Sequence, residues 1–236
     1  MSWFPETMSG SGPVDLDDGV RLERRDVLKA SVGALALLSL GWPQRALGQD
    51  PAPADDAELA WDAFVKDAVP MAEKLVAARK PNEEAYLHRL AALVHRLKLP
   101  AEGEALRAKQ PLSVVQFNLK AGKGFHWHDH RDYNGLILCT AGEARVRSYD
   151  IVGDDPRPPK GKTFVIRETV DATLTPGRVS HLARLRDNVH DVRACDEGAR
   201  LLDLFTFFDA GGRSAYMKVE EKPKDTVKRL YEAAWA

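Results

Sequence analysis

Apolar positions along the chain follow two different periods. Between Ala57 and about Ala108 they recur at helical intervals. Leu59, Phe64, Leu75 and Val76 stand in runs rich in Ala, Glu and Lys, and Tyr86, Leu90, Leu93, Val94 and Leu97 repeat at three and four residues behind Pro81. That spacing places one apolar stripe along a helix over residues 82–97. From Leu112 the period shortens. SVVQFNL, GLILCTA, ARVRSYDIV, TFVIRETV, VSHLARL, NVHDVRA, RLLDLFTFF and SAYMKV follow one another between Gly, Pro and Asp breaks. Roughly eight to ten short strands at such spacing predict an all-β sandwich or barrel. Residues 226–235 return to an amphipathic pattern that reads as a short closing helix.

Ahead of these regions, Arg24 and Arg25 precede an apolar run from Val27 to Leu40, and small residues follow as far as Ala46-Leu47-Gly48. This is the three-part layout of an export signal, with a mature start expected near Gln49. Lys29, Ser31 and Gly33 interrupt the run, and it falls short of the roughly 20 apolar residues that a spanning helix needs, so no stable membrane insertion is expected. Gln49 to Asp56 is a polar, proline-rich linker. The expected organisation is a disordered leader and signal over 1–48, a linker over 49–56, a helical segment over 57–110 and a β domain over 111–236. Arg24-Arg25 followed by Asp26, Val27, Leu28 and Lys29 resembles a twin-arginine signal. The resemblance implies the twin-arginine export machinery as a partner and a periplasmic or otherwise exported destination. Because that route carries folded proteins, a metal can be acquired beforehand, where its supply is controlled.

The chain has 236 residues, enough for one domain with appendages. Its 34 basic and 35 acidic side chains leave a formal charge of −1. Nothing electrostatic favours nucleic acid or an anionic membrane, which leaves a small molecule as the expected partner. Cys139 and Cys195 lie far apart without CxxC spacing, excluding a disulfide framework or a cysteine-based zinc site. A single disulfide between them stays open.

Three of the seven histidines crowd into GKGFHWHDHRDYNG. On a strand, His126, His128 and His130 share one face while Trp127 and Asp129 take the other. Two imidazoles at i and i+2 can reach one metal, and neutral imidazole is the commonest metal ligand. His88 and His95 stand seven apart on the predicted helix, where solvated or packing roles are expected because no carboxylate or cysteine accompanies them at ligand spacing.

The series Gly122, His128, His130, Gly135 and Gly142 resembles the first cupin motif, whose usual form carries a Glu ligand where this chain has Gly135. The resemblance implies a cupin barrel, with His128 and His130 as a ligand pair and His126 as a neighbour. With Gly135 in place of Glu, a neutral three-histidine site is expected. HDHRDYNGLILCTAGEARVRSYDIV is similar to the corresponding stretch of thiol dioxygenases related to cysteamine dioxygenase and the plant cysteine oxidases. Asn188-Val189-His190 resembles that family's third-ligand motif, and Leu202-Asp203 with Phe205 and Thr206 resembles the strand after it. The likeness covers roughly residues 112–219. His181 competes with His190 as third ligand, since Pro176 and Gly177 partly match the second cupin motif. Departures are Arg131 where the family usually has Pro, Asp187 where it has Gly, and Phe207-Phe208-Asp209 where it has Pro-Pro-Tyr.

The resemblance implies Fe(II), a small thiol or N-terminal cysteine, and O2. Three neutral imidazoles leave the ion's charge uncompensated, which a thiolate would relieve. The product would be a sulfinic acid, and no glycine-rich nucleotide loop points to another cofactor. Asp203 is a candidate to orient a histidine or a substrate amine, or else an ordinary strand carboxylate, and Tyr133 and Tyr216 either offer hydroxyls near bound oxygen or pack at the core or rim. Arg145 and Arg147 alternate on one strand as edge charges or carboxylate binders, and Cys139 packs as a small hydrophobe. A cupin of another chemistry using manganese, nickel or zinc, and a non-catalytic metal- or ligand-binding module, stay open beside this reading.

Overall fold

The computed structural model describes residues 57–99 and 106–236, together with the backbone of Val14–Asp15. The expected leader, signal, cleavage site and linker otherwise lie outside the described residues. Eleven strands and two helices follow in order: β1 Val14–Asp15, β2 Leu59–Ala60, α1 Trp61–Ala77, α2 Glu83–His95, β3 Leu97–Lys98, β4 Leu112–Leu119, β5 Gly124–Asp129, β6 Tyr133–Val152, β7 Thr163–Leu174, β8 Val179–Leu182, β9 Val189–Phe207, β10 Met217–Val219 and β11 Leu230–Trp235.

α2 starts where Asn82 Oδ1 accepts the backbone N–H of Ala85 at 3.0 Å, an N-cap that meets an otherwise orphaned donor. With α1 it forms a hairpin laid across the sheet. Phe64, Ala68, Ala72, Leu87, Leu90 and Val94 bury against Leu136, Leu138, Leu202 and Leu204. The polar contacts of this seam come chiefly from Glu83. Its carboxylate accepts from Asn134 Nδ2 at 3.1 Å, the Arg184 backbone N–H at 3.1 Å and Arg184 Nε at 3.0 Å. No described helix is long and apolar enough to cross a membrane.

The apolar runs GLILC and LLDLF reflect coverage on both faces. Even-numbered Leu136, Leu138, Leu202 and Leu204 face the helices, whereas Ile137, Cys139 and Leu201 turn into the barrel with Leu182 and Val192. Sequence periodicity divided β6 and β9 into two strands each; the structure joins each pair. Bulges between Cys139 and Ala141 and between Gly142 and Ala144 carry the antiparallel β6–β9 pairing around a corner. Gly142 and Gly198 meet there at φ 65 and 79, and a Cβ on Gly142 would lie 2.2 Å from the Gly198 carbonyl oxygen. Only glycine tolerates both demands.

Beyond that corner the partners change. The first half of β6 pairs with β8 and its second half with β7, while the second half of β9 pairs with β4 and its first half with β5. β7 continues to β11 and β10. The sheet curls until Tyr216, just before β10, bridges His128 on β5. The described chain is therefore an all-β, cupin-type jelly-roll barrel fronted by a helical hairpin.

The closing helix expected over 226–235 is absent: Leu230–Trp235 is strand β11. It pairs antiparallel with β7, from Leu230 opposite Arg167 to Ala234 opposite Thr163, and with β10. Tyr231, Ala233 and Trp235 alternate toward Tyr149, Phe164 and Ile166, and Trp235 Nε1 donates to the Pro158 carbonyl at 2.7 Å. The open edge of β7 offers a ladder that outweighs a marginal one-to-two-turn helix.

Candidate metal centre

β5 and β9 run side by side with His128 directly opposite His190, and His130 follows at the end of β5. All three are buried, with at most 5% exposure. Their Nε2 atoms converge: His128 to His130 3.1 Å, His130 to His190 3.1 Å, His190 to His128 3.0 Å. Metal–nitrogen bonds of about 2.1 Å at right angles separate nitrogens by about 3.0 Å, whereas tetrahedral angles demand about 3.4 Å. The triangle thus fits one face of an octahedron, and among the described residues it is the one group of three or more such ligands drawn together.

Protonation supports the fit. His128 Nδ1 donates to the His126 carbonyl at 2.7 Å. A carbonyl only accepts, so the neutral ring carries its proton on Nδ1 and leaves Nε2 as a lone pair. Burial pushes His128 down to about 4. Burial first, and the neighbouring imidazoles second, hold His130 and His190 well below the ordinary histidine range. His130 Nδ1 and His190 Nδ1 are buried without a hydrogen-bond partner among the described residues, so without an ion the Nε2 contacts are met by one ring donating to another, and with a cation all three lone pairs can turn to it.

Strict alternation placed His126 on the ligand face, but a register shift between Phe125 and His128 overturns that expectation. His126 is exposed and contributes its carbonyl instead of its ring. Phe125 turns inward, 4.6 Å from the Phe117 ring. His181 is not drawn into the cluster. It lies on β8 opposite Leu136 and faces α2, its ring 5.7 Å from that of His88.

Gly135 is sterically required. It pairs with Phe205 on β9 and Leu182 on β8. An added Cβ would stand 2.6 Å from the Leu204 carbonyl oxygen and 2.9 Å from Phe205 Cδ1. Phe205 also stacks within 5.8 Å of His130, so an aromatic ring borders the centre where a carboxylate stem would have to enter.

Of the other expected residues, Tyr133 is 4% exposed, its ring 4.5 Å from His130 and its hydroxyl paired with Ser214. The Tyr216 ring lies 5.4 Å from His128. Burial raises the pKa of both phenols. Asp203 sits on β9 between Val115 and Ile137 and is 4% exposed. Its Oδ1 has no hydrogen-bond partner among the described residues, and burial alone holds its carboxyl well above the usual range. Arg145 and Arg147 are instead committed to bidentate pairs with Asp171 and Asp191. Cys139 is fully buried, as a small hydrophobe would be.

Some neighbours escaped the sequence reading. Ser148 lies opposite His190 on β6, fully buried with Oγ unpartnered among the described residues; the signal was a hydroxyl two residues after inward-facing Val146. Asp129 accepts the Ala215 N–H at 2.8 Å and Arg131 Nε at 2.6 Å. It thereby ties down the segment that carries Ser214 and Tyr216. Asp187 adopts φ 54, the left-handed conformation that suits glycine, held by its N–H to Asp150 Oδ1 at 2.8 Å.

No protein-family profile matches the chain, and no curated protein matches it. Among solved structures, the coconut allergen cocosin is 18% identical at TM-score 0.33, covering 44% of this chain and 23% of that one. An 11S globulin from Wrightia tinctoria is 13% identical at TM-score 0.34, covering 44% and 22%. A recombinant oxalate oxidase in complex with glycolate is 12% identical at TM-score 0.35, covering 48% and 49%. The chain spans about a quarter of the globulins' length and half of the oxidase's. At those scores the likenesses add nothing to what the strand pairings establish, and they carry no activity over. The chain is a cupin-fold protein with a buried three-histidine cluster able to hold a metal ion.

Proposed function

We propose that the protein is a metalloenzyme that holds Fe(II) through His128, His130 and His190 and oxidises a small thiol or N-terminal cysteine to its sulfinic acid with O2. The observation that carries this reading is the triangle of neutral Nε2 atoms, 3.0–3.1 Å apart, beside a Gly135 that leaves no room for a carboxylate. When bound, the ion would supply open positions for a thiolate and O2 and would lower the thiol's pKa. The stoichiometry is RS⁻ + O2 → RSO2⁻. Both oxygen atoms join sulfur, which supplies the electrons, so no flavin, nicotinamide or 2-oxoglutarate enters.

The chain's own residues prepare the site. The His126 carbonyl fixes the His128 tautomer, and Phe125 and Phe205 border the rings with apolar surface. Asp203, whose carboxyl burial biases toward the protonated form, would serve as a proton donor for a substrate group or a neighbouring phenol. Tyr133 holds its hydroxyl beside Ser214, and Tyr216 walls the His128 side. Export behind Arg24-Arg25 would deliver the folded, loaded protein to a thiol outside the cytoplasm.

Protein purified anaerobically and loaded with Fe(II) is to be tested for O2 uptake with cysteamine, cysteine and peptides bearing N-terminal cysteine. One O2 consumed per thiol, with a product heavier by two oxygen atoms, is expected. Iron-loaded protein that consumes no O2 with any thiol of that panel refutes the reading. His190→Ala should lose iron while His181→Ala keeps it.

A further inference from the structure

Two histidines that the barrel centre does not use face each other where the helical hairpin meets the sheet. His181 on β8 and His88 on α2 have ring centroids 5.7 Å apart, nearly edge-on at 76°. His181 Nε2 is buried and has no hydrogen-bond partner among the described residues, and a buried polar atom left unpaired is costly unless something fills it. Both rings line one surface depression with Glu84, Arg186 and Asp187. Glu84 precedes His88 by four residues on α2 and so shares its face. Two carboxylates against one guanidinium leave the depression formally anionic. Burial, reinforced by the neighbouring His88, pushes His181 down to about 4, so its ring is neutral near pH 7 and one of its two nitrogens carries a lone pair.

We propose that His88, His181 and Glu84 form a second metal site, for Zn(II) or a divalent ion of its class, that pins the helical hairpin to the barrel. Two imidazoles sharing a tetrahedral ion have centroids about 5–5.5 Å apart, and this pair stands at 5.7 Å; the three donor atoms are not drawn together without an ion, so binding has to bring Glu84 inward. The Glu84 carboxylate is 61% exposed and, among the described residues, pairs with Arg186 at 3.6 Å. It is free to swing inward while Arg186 keeps Asp187 at 3.5 Å, and water completes the fourth position. His95 also acts on His181. It stands two helical turns, about 10 Å, from His88, too far to share an ion with it. The site is independent of the iron reading, because it uses none of the barrel ligands.

The test is Zn(II) binding by untagged, metal-free protein, counted after desalting. His88→Ala and His181→Ala should each hold one equivalent fewer than wild type, and Glu84→Gln should weaken that equivalent roughly tenfold. His95→Ala should leave the count unchanged. Wild-type stoichiometry in His88→Ala, or loss of the same equivalent in His95→Ala, overturns the proposal. Should His181→Ala fail to fold, His88→Ala decides alone, since that residue is only half-buried on a helix surface.

Discussion

Gly135→Ala tests the claim that the centre is confined to three neutral ligands. The new Cβ would stand 2.6 Å from the Leu204 carbonyl oxygen and 2.9 Å from Phe205 Cδ1. The first contact is the severe one, because it is made with backbone. β6 and β9 are laddered without a break from Tyr133 opposite Phe207 to Cys139 opposite Leu201, so relieving it means parting them locally by most of an ångström. Overpacking of this kind costs about 1–3 kcal/mol, or roughly 2–12 °C in Tm for a chain of this size. Gly135→Glu should be at least as unstable and should gain no carboxylate ligand, because its stem enters through the same carbonyl. Phe205→Ala, combined with Gly135→Ala, should restore only part of the loss: it removes the aromatic contact and leaves the Leu204 oxygen. Thermal unfolding of the metal-free variants gives the stabilities, and metal spectroscopy of Gly135→Glu reports the ligand set. A Tm for Gly135→Ala within 1 °C or so of wild type, or a carboxylate-ligated metal in Gly135→Glu, would refute the reasoning.

Acidification separates the histidines' contribution. His128 titrates at about 4 when folded against 6.5 when unfolded, so the unfolded chain binds the extra proton between those values and stability falls with pH. Metal-free wild type should lose roughly 2–3 kcal/mol more than His128→Gln between pH 7 and pH 4.5 in urea unfolding; equal losses would contradict this. Asp203 has the opposite sign. Its raised pKa makes the folded state the proton-richer one above the ordinary carboxyl range, so Asp203→Asn should gain more stability at pH 8 than at pH 5 while thiol-dependent O2 uptake falls. A uniform gain across pH would mean that the folded carboxyl ionises normally. Replacing Arg24 and Arg25 with Lys should leave the protein in the cytoplasmic fraction of a host with twin-arginine export, and undiminished export of the variant would dismiss that reading.

The His128, His130 and His190 cluster was legible because motif spacing survives local irregularity. Alternation alone misplaced the His126 side chain for the converse reason: it holds only until a bulge, and the shift before His128 leaves no mark in the residue types. The strands were visible in their apolar runs, yet those runs could not say that β6 and β9 each bend through a corner without ending. Gly142 and Gly198 read as breaks because a turn and a bulge make the same demand for positive φ. The last strand was lost to an ambiguity of length. Over six residues an amphipathic helix and an edge strand compete closely, and the free edge of β7 that decides between them is a tertiary fact. Ser214, which pairs with Tyr133, and Ser148, which lies opposite His190, come from distant segments, so their proximity to the centre is a tertiary fact.

β9 sets the order in which the protein can become functional. It pairs with β4, β5 and β6, joining Leu112 to Thr206 and His128 to His190 across long stretches of chain. Such high contact order places folding in the slower, millisecond-to-second range, because loop closure is met before non-local pairs repay it. No fragment ending before β9 contains the three-nitrogen triangle. Assembly of the triangle is thus a late event in folding, and an ion would find all three ligands only once β5 and β9 have paired.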